Sequence, residues 1–126
     1  MKYKMDNAEV NDLLYRLKRL LKDKRTRLAV CNNKDKNFVF SYLYGIDKSY
    51  IKEILSKLEV DDFVETVENT NPNFPKGLLY VFTKQVVLVN AKGEEDVIQL
   101  YIKFSLDDKK RYITTVSFHE AEYGFV

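Results

Sequence analysis

The sequence predicts an α+β domain: N-terminal helices packed on an antiparallel, meander-like β-sheet. Three observations predict it. Apolar residues recur at helical spacing over residues 7–22 and again from Tyr50 to Leu58; from Leu78 onward the spacing changes to alternation; and two turn-forming clusters, NAKGEE and DDKK, divide that second half into three runs. Helices first and strands afterwards bury their apolar faces by layering the helices on one side of a twisted sheet. A chain of 126 residues supports one core, so residues 1–126 read as a single domain.

The elements follow in order. Asp6 with Glu9 three positions later forms a capping-box pattern, and Val10, Leu13, Leu14, Leu17, Leu20 and Leu21 continue it as an amphipathic helix over 7–22. Arg27 to Cys31 fits a short strand, and NNKDKN after it reads as a loop. Phe38 to Tyr44, apolar and aromatic up to Gly45, fits a strand or a short buried helix. Asp47 can cap a further helix whose inner face is Tyr50, Ile51, Ile54, Leu55 and Leu58. NTNPNFPKG, residues 69–77, is a Pro/Asn loop and the candidate hinge. Strands are expected at about 78–90, 96–106 and 111–119.

Composition narrows the function classes. An apolar fraction of 45% and a charged fraction of 32% belong to an ordinary globular protein and exclude a disordered one. No apolar run reaches the length of a membrane span, and the charged start lacks the apolar stretch of a signal peptide. One cysteine, Cys31, excludes an internal disulfide and fits a reducing cytoplasm. One Cys and one His cannot build the usual structural zinc site; no cofactor is expected, and the enzyme chemistries left open are metal-free acid–base work and carboxylate-held ions. The net charge of +2 hides an asymmetry: residues 1–36 carry eleven Lys/Arg against five Asp/Glu. Arg16, Lys18, Arg19, Lys22, Lys24, Arg25 and Arg27 crowd one stretch with Asp23 as its sole acid. Such a cluster is usually the solvated face of a helix, and its density also suits a polyanion or an acidic protein partner.

Alternation places candidate chemistry on one face. In the middle strand Ile98, Leu100, Ile102, Phe104 and Leu106 point one way, and Gln99, Tyr101, Lys103 and Ser105 the other. In the last strand Tyr112, Val116 and Phe118 share the apolar side, while Thr115, Ser117 and His119 share the polar one, with Ile113 and Thr114 as exceptions. Matching the apolar faces across a loop of three or five residues sets Tyr101 opposite Ser117 and Gln99 opposite His119. Tyr101 and His119 then become diagonal neighbours about 7–8 Å apart. The outcome is a cluster of Gln99, Tyr101, Lys103, Ser117 and His119. A half-exposed sheet carries such residues on its wet side; metal-free RNA cleavage also needs this set, a histidine for proton transfer and cations around a phosphate. Asp61–Asp62 and Glu94–Glu95–Asp96 are solvated turn acids or an ion site, and no Gly-rich phosphate loop or nucleophile triad is present.

The segments YGIDKSYIKEILSKLEVDDFVETV, LLYVFTK, LYIKFSL and TTVSFHEAE, in that order across residues 37–123, resemble the MqsR-type toxins of type II toxin–antitoxin modules, within the RelE-like superfamily. That resemblance implies an mRNA interferase: a cytoplasmic endoribonuclease that cleaves messenger RNA without a metal and is neutralised by a cognate antitoxin. It implies catalytic roles for Tyr101 and His119, with Lys103 and Lys84 as phosphate-stabilising cations. RNA contacts would come from Gln99, Ser117, Lys18, Lys22 and Arg25. At two polar positions of the family pattern this sequence has Glu65 and Leu79 or Tyr80.

Overall fold

A computed structural model of the chain describes residues 2–31, 35–69 and 77–122. The first element is a two-residue strand, β1 (Lys2–Tyr3), followed by helix α1 (Asn7–Lys22). The capping box is present at its start: the Asp6 carboxylate accepts from the Glu9 amide at 2.8 Å, and Glu9 accepts from the Asp6 amide at 3.2 Å. Val10, Leu13, Leu14, Leu17 and Leu20 form its buried stripe. Helix α3 (Lys48–Ser56), capped by Asp47 as its sequence predicts, contributes Ile51, Ile54 and Leu55 to the same core.

Among the described residues the sheet has six strands, in the order β1, β3 (Phe63–Glu68), β4 (Leu78–Val89), β5 (Glu95–Asp107), β6 (Tyr112–Glu120) and β2 (Arg27–Val30). Strands β4, β5 and β6 lie within a few residues of their expected positions and form the antiparallel meander. A further meander strand, β3, pairs antiparallel with β4; the sequence reading assigns that stretch no element. Strand β2 closes the other edge by pairing parallel with β6, so the sheet is antiparallel except at that edge. The core lies between the helices and the β4–β6 face that carries Phe82, Ile102, Phe104 and Phe118, all 0–1% exposed.

Phe38–Tyr44 belongs to helix α2 (Asp35–Tyr44), which begins inside the expected NNKDKN loop. Gly45 ends it with φ +62°, and the Ile46 amide reaches back to the Ser41 carbonyl at 3.0 Å, a Schellman closure that favours glycine at that position. The helix is not a buried one. Asn37 and Phe40 face inward, whereas Phe38, Val39, Tyr42 and Leu43 are exposed, Tyr42 by 81%. Of the 69–77 loop, residues 70–76 lie outside the described residues. No described helix is long and apolar enough to cross a membrane.

Candidate active site

The site begins with the way β6 is held. Near the β5–β6 turn Leu106 pairs with Ile113 and Phe104 with Thr115; further on Lys103 pairs with Ser117 and Tyr101 with His119. Val116 is the extra residue, a β-bulge that reverses which residues face the core. Below it Ile113 and Thr115 point into the core, both 0% exposed; above it Phe118 does, and Ser117 and His119 face the opposite side. The sequence-based pairing therefore needs two corrections. Thr115 leaves the polar face and Ile113 is no exception, because the bulge changes parity between them and His119. Tyr101 stands directly opposite His119, not diagonal to it, and Lys103 opposite Ser117.

Asn37 holds this bulge. Strand β2 ends at Val30, and the next ladder bond runs from the Cys31 amide to the Thr115 carbonyl at 2.9 Å. Beyond that rung the Asn37 carboxamide takes the place of a strand. Its Nδ2 donates to the Cys31 and Val116 carbonyls at 2.7 and 2.9 Å, and its Oδ1 accepts from the Phe118 amide at 3.0 Å. A side-chain amide carries the same donor and acceptor as a peptide unit, so it can continue a ladder where backbone cannot follow.

The resulting cluster is compact. The Tyr101 and His119 rings stack with centroids 5.4 Å apart and planes 21° from parallel. The His119 Nδ1 lies 2.8 Å from the Glu120 carbonyl oxygen, which can only accept; Nδ1 therefore carries a proton, and in the neutral ring Nε2 is the basic nitrogen. Lys103 and Ser117 occupy the next rung on the same face, and Gln99, opposite Gln85, the rung on the other side. Burial, and after it the Glu65 carboxylate, push the Tyr101 phenol above its ordinary range, so it is a hydrogen-bond donor at neutral pH.

Two residues join the site that the sequence reading left out of it. Thr83 pairs with Tyr101 from β4, and Glu65 pairs with Val81, whose other neighbour is Lys103. Parity along 78–89 points to Thr83, since it places Thr83 and Gln85 opposite Phe82 and Lys84. Glu65 could not be found by parity without knowing that β3 exists; the signal for it is its place at a polar position of the family pattern.

The remaining candidates lie elsewhere. Lys84 pairs with Leu100 on the helix-packed face and its ammonium meets Asp62 at 3.4 Å, so it does not reach the Tyr101–His119 cluster. Alternation already requires this, because Lys84 has the parity of Phe82. Lys18 and Lys22 are exposed on α1, and Arg25 is held by Asp23 just beyond it. Asp62 accepts from the Glu59 amide, and Asp96 from the Tyr44 hydroxyl at 2.9 Å and from Asn90, which gives both acidic turns structural partners. Among the described residues no group of three or more His, Cys, Asp and Glu could hold a metal ion. No protein-family model, curated protein or solved structure matches this chain.

A carboxylate, a lysine, a phenol and an imidazole thus share one sheet face, on side chains fixed by strand pairing. Such a set can move a proton and donate hydrogen bonds to an anionic oxygen.

Proposed function

We propose that this protein is a cytoplasmic, metal-independent endoribonuclease of the mRNA interferase kind, the toxin of a type II toxin–antitoxin pair, with messenger RNA as substrate and an antitoxin protein as partner. The observation that carries this reading is the direct pairing of Tyr101 with His119, one rung from Lys103 and Ser117. His119 Nε2 takes the proton of a 2′-hydroxyl; the 2′-oxygen attacks phosphorus; the P–O5′ bond breaks, and the departing 5′-oxygen takes a proton from water. Tyr101 donates a hydrogen bond to a phosphoryl oxygen and Lys103 offsets its growing charge.

Glu65 supports a second reading, a non-catalytic interaction module. Its carboxylate is close enough to raise the Tyr101 pKa, and a negative charge there opposes a phosphate. One experiment separates the two: purified protein is incubated with messenger RNA in excess chelator. Cleavage is expected, with His119→Ala slowing it by about 10²–10⁴-fold and Tyr101→Phe by less. Intact RNA with the wild-type protein selects the interaction module; equal cleavage by His119→Ala rejects the assigned role.

A further inference from the structure

The fold brings together two basic segments that are far apart in sequence. Residues 16–27 close α1 and enter β2, and residues 107–111 form the β5–β6 turn. The Arg16 guanidinium binds Asp108 in bidentate fashion at 2.8 and 3.1 Å, and Arg111 reaches Asp23 at 3.2 Å. Backbone locks the same junction, with the Arg27 amide donating to the Arg111 carbonyl at 2.9 Å. Together these segments hold ten Lys/Arg and three Asp, a local charge of +7 in a chain whose total is +2.

Two adjoining clefts open at this junction, about 300 and 440 Å³ in volume, sharing Lys22 and Asp23 in their walls. Lys24 and Lys52 line the first, Arg19 and Arg111 the second. Their acids are already occupied: Asp23 is shared by Arg25 and Arg111, and Asp108 by Arg16 and Arg19. Among the described residues Lys22, Lys24, Lys52, Lys109 and Lys110 form no ion pair, and all five are exposed. Excess cation in a concave wall with its carboxylates neutralised is an anion site.

We infer that this composite basic cleft binds the phosphodiester backbone of single-stranded RNA. The choice of RNA rests on the nuclease reading above. The turn at Asp107 lies six residues along β5 from Tyr101, about 20 Å at the rise of an extended strand. The cleft, walled in part by Leu28, Lys52 and Ile113, opens on the helix-packed side, so a strand seated in it reaches the Tyr101–His119 face by passing around the β5–β6 end of the sheet. The surface would supply affinity without sequence preference, leaving choice of sequence to the residues around the reacting phosphate. Arg16, Arg25 and Arg111 contribute less than the lysines, because Asp108 and Asp23 hold their guanidinium groups.

The test is binding without cleavage. The His119→Ala protein is titrated into a fluorescent single-stranded RNA over a series of salt concentrations, and compared with Lys22→Gln/Lys24→Gln/Lys52→Gln in the same background. Removing three phosphate contacts should reduce the slope of log K against log salt by about 2 and weaken binding roughly 50-fold at physiological salt. Lys109→Gln/Lys110→Gln should act in the same direction, and circular dichroism should show every variant folded. Unchanged affinity and slope in both variants would overturn the proposal, as would equal affinity of the parent protein for polyglutamate, which would assign the cleft to an acidic protein. Salt-dependent binding lost in the variants, with no cleavage by wild type, would keep the cleft and reject the nuclease.

Discussion

Asn37→Ala removes a residue 1% exposed whose three hydrogen bonds replace the missing end of β2. The Phe118 amide loses its acceptor in a buried setting, which costs about 1–3 kcal/mol, and each of two part-buried carbonyls loses a bond worth about 0.5–1.5 kcal/mol. Allowing for water reaching the carbonyls, the expected loss is about 3 kcal/mol, or roughly 12 °C in melting temperature for a domain of this length. Urea denaturation measures it. Asn37→Asp is the sharper probe, since its shape is unchanged. One carboxylate oxygen still accepts from Phe118, while the other faces two carbonyl oxygens and is repelled unless protonated. The folded state then binds a proton more tightly than the unfolded chain, so stability rises as pH falls through the folded pKa and is lost above it. The ring resonances of His119 should move in both variants as the bulge loosens. A loss below about 1 kcal/mol for Asn37→Ala, or an Asn37→Asp pH profile parallel to wild type, would refute the assignment of Asn37 as the clamp of the bulge.

Two further outcomes are expected. The Arg16 guanidinium holds the Asp108 carboxyl below the ordinary carboxylate range, so the unfolded chain takes up this proton first as pH falls; the stabilisation is complete above pH about 4 and is lost below it as Asp108 protonates in the folded state. Asp108→Asn should flatten that acid limb in urea titrations, by about 1 kcal/mol once the partial exposure of both side chains is allowed for. Lys84→Ala should cost about 1 kcal/mol through loss of the Asp62 pair yet leave RNA cleavage unchanged, and a cleavage defect without a stability defect would return Lys84 to the site.

Much of this architecture is legible in the residues. The capping box and leucine stripe place α1 at 7–22, and Asp47 with its apolar spacing places α3. Strands β4 to β6 follow from alternation and turn chemistry. Local pattern is strong there because each element buries one face of its own. It fails where pairing is decided at long range. FVETVE alternates poorly, since a second bulge between Phe63 and Glu65 shifts its register, and β3 is defined by β4 more than by itself. The parallel attachment of β2 has no local signature at all. The site face was readable in part: Tyr101, Lys103, Ser117 and His119 do share it, although the turn has four residues and reverses parity, and the Val116 bulge then reverses it back. Two opposite departures cancel at His119 but not at Thr115.

The parallel pairing of β2 with β6 also dictates an order of events during synthesis. Residues 27–30 are made early, yet among the described residues their one sheet partner is residues 112–115. Through most of translation β2 has no strand to pair with, the Asn37 carboxamide lacks its Val116 and Phe118 partners, and the strand that carries His119 has not emerged. Contacts of such long range slow folding and make its completion a late step. On this scheme the face carrying Tyr101 and His119 cannot assemble on a nascent chain before β6 leaves the ribosome, so any activity it has begins only after release of that strand.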